Sequence, residues 1–281
     1  MGLKDLLGRR PGGAPSDPEP PVDAHAIDHP GILAMVFHPR RDAGPPPDGE
    51  RVRELLFRVG EGAVIGSRLY AASSRAPVIL YFHGNGEIAS DYDDIAPLYI
   101  ARGMNLLVVD YRGYGRSTGT PTLTGMIRDA RDVFASARQQ LEACGFQGRL
   151  WAMGRSLGSA SALEIARSFG SQLGGVIVES GFADTVGLFQ RVGIPVRRHA
   201  IPQAWARFNV MAVAQVTIPV LLIHGERDML IPLADGEALL EACPSVRKEL
   251  VVIPGAGHND ILWAGTGQYM DAVTRFVMGG P

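Results

Sequence analysis

A serine becomes a nucleophile at neutral pH only when a base stands within hydrogen-bond reach and a third group orients that base. This chain carries residue types in that pattern. Residues 151–158 read W-A-M-G-R-S-L-G and enclose a G-x-S-x-G core: Gly154, Arg155, Ser156, Leu157 and Gly158. An apolar run precedes the core, and a helix-like run, 159–169, follows it. A strand, a sharp turn and a helix in that order expose a serine hydroxyl at the turn tip. Flanking glycines suit a turn too strained for side chains. In a chain with 35 glycines such a match also arises as a plain Gly-rich turn, so its weight depends on partners elsewhere.

Two later segments supply them. Residues 218–224, I-P-V-L-L-I-H, form an apolar run fit for a buried parallel strand, and Asp228 lies in the loop after it. Residues 248–253 form another, ending at Pro254, and His258 follows. His258 is the candidate base and Asp228 the candidate carboxylate. A tetrahedral oxyanion needs two N–H donors. The backbone N–H of Leu157, at a helix start, is one candidate. Asn85 is the other, in the loop His83, Gly84, Asn85, Gly86, Glu87 after a strand-like run at 78–82. All these groups fall at carboxyl ends of strands, where open α/β sheets gather ligands.

The segments that carry this set are Y-F-H-G-N-G-E (81–87), V-V-D-Y-R-G-Y-G-R-S-T-G (108–119), G-R-S-L-G-S-A (154–160), P-V-L-L-I-H-G-E-R-D (219–228) and G-A-G-H-N-D (255–260). Together they resemble serine hydrolases of the α/β-hydrolase superfamily. Within it they are most similar to the small-lid branch that includes the depalmitoylating α/β-hydrolase-domain proteins and their bacterial relatives. The resemblance runs from about residue 78 to 261 and shows no departure at Ser156, Asp228 or His258. It implies an α/β-hydrolase fold: a mostly parallel central sheet, helices on both faces and a short lid insertion. It also implies cleavage of a carboxylic ester through an acyl-enzyme intermediate, with no cofactor. The substrate would be a small-molecule or acyl-group ester. The same triad serves thioesters, so an acyl-protein or acyl-CoA thioesterase is the alternative. A non-catalytic binding module on the same fold is the rival from another class, and the intact set of groups speaks against it.

Other polar residues compete for roles. Glu179, after an earlier strand, is a rival carboxylate to Asp228, whose H-G-x-x-D context favours it. Asp110 is expected to anchor the loop 111–115, and Asp260 to cap a helix. His83 and His224 precede glycines at strand ends and are expected to be structural. A metal site built from His83, His224 and His258 lacks any tight ligand spacing. Arg155 is expected to be structural or at a pocket rim.

The elements that must position these groups follow from periodicity. Strands are expected at 53–59 and 63–71, then at 77–82, 105–110, 149–154, 173–179, 218–224 and 248–253. Helices are expected at 88–102, 122–144, 159–169, 235–243 and 265–278. A first strand is expected at 32–37. Residues 1–30 are expected to form a Pro-rich tail, since ten of the 20 prolines lie in the first fifty positions. The hydrolase domain would then be 31–281, with the lid at about 180–217. The lid holds Phe182, Phe189, Trp205, Phe208 and Met211, a candidate apolar pocket wall. It also holds Arg191, Arg197, Arg198, Arg207 and His199 with no acidic residue between Asp184 and Glu226. This suggests attraction to an anionic substrate or a membrane surface.

Composition sets outer bounds. A chain of 281 residues with 46% hydrophobic content suits one α/β domain. A formal net charge of −2 gives no general pull toward nucleic acid. Two cysteines, Cys144 and Cys243, do not make a disulfide framework and fit a reducing, cytoplasmic compartment. No apolar run reaches the ~18 residues of a membrane span. The first residues lack the apolar core of a signal peptide. Nothing in the sequence sets the oligomeric state.

Overall fold

In the computed structural model, residues 27–44, 51–194, 196 and 201–279 are described. Among these residues eight strands form one sheet in the order β1-β2-β4-β3-β5-β6-β7-β8. They are β1 Val52–Arg58, β2 Val64–Tyr70, β3 Val78–Phe82, β4 Asn105–Val109, β5 Leu150–Arg155, β6 Val176–Glu179, β7 Val220–Gly225 and β8 Lys248–Ile253. β2 runs antiparallel to both its neighbours, and every pairing from β4 to β8 is parallel. The central strands β3, β4 and β6 are buried at every position, as strands covered on both faces must be.

Alternation along the strands divides the core. Val78, Leu80 and Phe82 of β3 pack with α3 (Leu123–Ala143) and α4 (Gly158–Phe169). Ile79 and Tyr81 pack with α2 (Ala96–Ile100) and α10 (Thr266–Met278) on the other face. The other helices are α1 Pro30–Val36, α5 Thr185–Arg191, α6 Gln203–Ala206, α7 Phe208–Val213, α8 Leu233–Ala242 and α9 Ile261–Ala264. Between β6 and β7 the chain leaves the sheet and forms α5, α6 and α7. Among the described residues no helix is long and apolar enough to cross a membrane.

Two expectations are corrected. The segment expected as a first strand at 32–37 is the helix α1. Pro30 stands in its first turn, His29 Nδ1 accepts the Gly31 N–H at 3.1 Å, and Ile32 and Val36 are buried at helical spacing. The helix expected over 88–102 is a 3₁₀ turn, Ala89–Tyr92, followed by α2, with Pro97 in the first turn of α2. A proline there suits a helix start and removes an N–H donor that a continuous helix would use. The segment expected as a tail falls mostly, at 1–26, outside the described residues.

Candidate active site

The tip of the β5–α4 turn is Ser156, one of three non-glycine residues with positive φ among those described, at 51°. Such a conformation costs about 1–3 kcal/mol and must be held by its surroundings. The Ser156 N–H donates to Glu179 O at 2.9 Å, and its carbonyl accepts from Ser159 Oγ at 2.6 Å. Asn209 of α7 donates to Ser159 Oγ and to Phe182 O, both at 2.9 Å, so the β6–β7 insertion is tied to the turn. Gly154 and Gly158 are needed for close approach, and the positive φ lies on the serine between them. A Cβ on Gly158 would lie 2.1 Å from Phe82 O, and one on Gly154 would lie 2.2 Å from Gly158 O.

His258 and Asp228 come from the loops after β8 and β7. Those loops pack closely: a Cβ on Gly225 would lie 2.6 Å from Ala256 O. His258 Nε2 is 3.0 Å from Ser156 Oγ, and its Nδ1 is 2.7 Å from Asp228 Oδ2. A carboxylate only accepts, so Nδ1 carries the proton and the Nε2 lone pair faces the serine hydroxyl. Asp228 Oδ1 accepts the N–H groups of Leu230 at 2.9 Å and Ile231 at 2.7 Å. Burial opposes ionisation of Asp228. The hydrogen bonds from His258 and Ile231 outweigh it and hold the carboxyl below the usual aspartate range.

Ser156 and Leu157 open onto a cavity of about 330 Å³. Its walls come from α1 (Met35, Val36), α3 (Met126) and the β6–β7 insertion (Phe182, Leu188, Phe208). Phe189 and Trp205 line it as well, and Met211, half exposed, does not. No acidic side chain lines it among the described residues. Asn85 stands at its edge. The Asn85 side chain is fixed by the segment around α1 and by Tyr114: Oδ1 accepts from His38 N at 3.2 Å and Tyr114 OH at 2.7 Å, while Nδ2 donates to Val36 O. Arg40 Nε holds the next carbonyl, Gly86 O, at 2.7 Å. That wall is absent from the sequence reading, because a helix misread as a strand gave no reason to place it over the site.

The remaining polar residues also have definite places. Glu179 lies in a buried network, accepting from Arg155 Nε at 3.0 Å, Tyr81 OH at 3.2 Å and Tyr269 OH at 2.6 Å. Asp228, and not Glu179, therefore meets His258. Arg155 also donates to Glu87, to His258 O at 3.0 Å and to Asn259 Oδ1 at 3.1 Å. Asp110 accepts from Ala89 N at 2.9 Å and Arg116 N at 3.4 Å, spanning the loop it was expected to anchor. His83 and His224 are buried, with Nδ1 of the first against Gly84 O and Nε2 of the second against Ile231 O, each at 2.8 Å. Asp260 precedes α9, but its side chain accepts the Gly257 N–H at 2.7 Å and does not cap the helix. Arg191 meets Leu230 O at 2.7 Å and Asp235 at 3.8 Å; Arg197, Arg198 and His199 lie outside the described residues.

Comparison with known proteins agrees with this fold. The human protein named alpha/beta hydrolase domain-containing protein 17B is 31% identical, over 79% of this chain and 74% of its own. An uncharacterized protein of Mycobacterium tuberculosis is 27% identical, over 92% of this chain and 94% of its own. The structure of the Pyrococcus furiosus esterase Pf2001 superimposes with a TM-score of 0.70, at 15% identity, over 86% of this chain and 99% of that one, a likeness of fold. Residues 73–210 and 199–262 match the family described as serine aminopeptidase, S33. The chain belongs to that family, within the α/β-hydrolase superfamily, and its reaction class is hydrolysis.

Proposed function

We propose that this protein is a serine hydrolase that cleaves a carboxylic ester bearing an apolar acyl group. The observation that carries the reading is the hydrogen-bonded series Ser156 Oγ, His258, Asp228, at 3.0 and 2.7 Å, beside an apolar cavity of about 330 Å³. In this reading Ser156 Oγ attacks the acyl carbonyl and His258 Nε2 takes its proton, then delivers it to the leaving alkoxide. Asp228 stabilises the imidazolium. The N–H groups of Leu157 and Asn85 receive the oxyanion; losing one such donor typically costs about 100- to 1000-fold in rate. Water attacks the acyl-enzyme with His258 again as base, and the acid is released.

The cavity also bears on the alternatives. An aminopeptidase must bind a free α-ammonium group, and the described lining offers no carboxylate for it. A thioester presents the same acyl half to the same walls and differs only in its leaving group. Labelling with a fluorophosphonate probe tests the reading. Wild type should label, Ser156→Ala should not, and wild type should hydrolyse p-nitrophenyl esters. A folded wild type that neither labels nor hydrolyses would refute it. Matched ester and thioester substrates with one acyl chain then assign the leaving group.

A further inference from the structure

The guanidinium of Arg155 reaches the ends of β3, β6 and β8 at the site. It sits on the residue just before the nucleophile. Its Nε bonds Glu179 at the end of β6, and its Nη2 bonds the carbonyl of His258 and the Asn259 side chain. Its Nη1 bonds Glu87. The other oxygen of Glu87 accepts the Gly84 N–H and the Tyr92 hydroxyl, each at 2.8 Å. Gly84 immediately precedes Asn85, and a Cβ there would lie 2.6 Å from Arg155 Nη1. The side chains of Arg155 and Glu179 are only 11% and 4% exposed, so that pair is shielded from water. A core that needed only charge neutrality would be satisfied by one carboxylate. Here the planar fork is spent on four partners: Glu179 at the end of β6, Glu87 after β3, and His258 and Asn259 after β8.

We propose that Arg155 is a positioning residue that sets His258 and the Asn85 peptide in register with Ser156, with Glu87 as its arm to the oxyanion loop. This rests on the serine-hydrolase reading. Lysine offers one compact ammonium and cannot span Glu179, Glu87 and His258 O together. Displacements of about 1 Å in such a constellation can cost roughly 100-fold in rate.

The test uses the full chain as wild type, Arg155→Lys, Glu87→Gln, the double variant and Ser156→Ala. Fluorophosphonate labelling run to completion counts competent sites. kcat and KM on a p-nitrophenyl ester are then expressed per labelled site, beside thermal midpoints. Arg155→Lys should lower kcat per site about 10- to 100-fold with little change in KM. Glu87→Gln should lower it less, and the double variant should be no worse than Arg155→Lys alone, because both cut the same arm. A folded Arg155→Lys with wild-type kcat per site would overturn the proposal. So would a loss that appears only as fewer labelled sites and a lower midpoint. If Arg155→Lys does not fold, an unchanged kcat per site in Glu87→Gln overturns it. An unlabelled wild type, or equal labelling of Ser156→Ala, sinks the hydrolase reading itself. A labelled, active wild type with indifferent Arg155 and Glu87 variants sinks only this inference.

Discussion

Asp228 divides its two oxygens between different tasks, and the division makes a sharp test. Oδ1 accepts the Leu230 and Ile231 N–H groups, so only Oδ2 faces His258. In Asp228→Asn the backbone donors would keep the amide oxygen, leaving the NH₂ group against Nδ1. The imidazole would then carry its proton on Nε2 and could not take one from Ser156. kcat should fall about 10⁴-fold while KM changes little. The same carboxyl also contributes to stability. Its folded pKa lies below the unfolded value, despite burial, because His258 and Ile231 bond the charged form. Its contribution is therefore complete above the unfolded pKa, about 4, and is lost as pH falls through the lower folded value. Thermal midpoints of wild type and Asp228→Asn should differ at neutral pH and converge on acidification. A constant gap across that range would contradict the assignment.

At the scale of elements, the β5–α4 turn permits no bulk. Gly158→Ala would put a methyl 2.1 Å from Phe82 O, a backbone atom that cannot rotate away. The variant should be destabilised by about 3 kcal/mol or more, read as a drop in denaturant midpoint. This turn was legible in the sequence because its strand, glycines and helix are contiguous. The loops of Asp228 and His258 were legible because each follows an unbroken apolar run. Residues 32–37 were not, since a short apolar stretch fits either period and only the capping by His29 and Pro30 decides for the helix. For Arg155 the sequence indicates a structural place but not its partners. Glu87 and His258 lie 68 and 103 positions from it, and no local pattern encodes a meeting of that kind.

The whole molecule assembles its cavity from distant pieces: α1 ahead of the sheet, α3 between β4 and β5, and the insertion between β6 and β7. An acyl chain entering that space is removed from water methylene by methylene, at about 0.8 kcal/mol each. In a p-nitrophenyl ester series kcat/KM should rise about fourfold per added methylene and then level off or drop once the space is filled. A flat series would place the acyl group elsewhere.

The hold of α1 on Asn85 also orders events in time. Residues 36–38 leave the ribosome before what they grip, Asn85 and Tyr114, is made, and Ser156, Asp228 and His258 come later still. Domains fold as units once enough of the chain is available. A nascent chain therefore carries this pocket wall without a site to cover, and on the proposed mechanism hydrolysis waits until synthesis has passed His258.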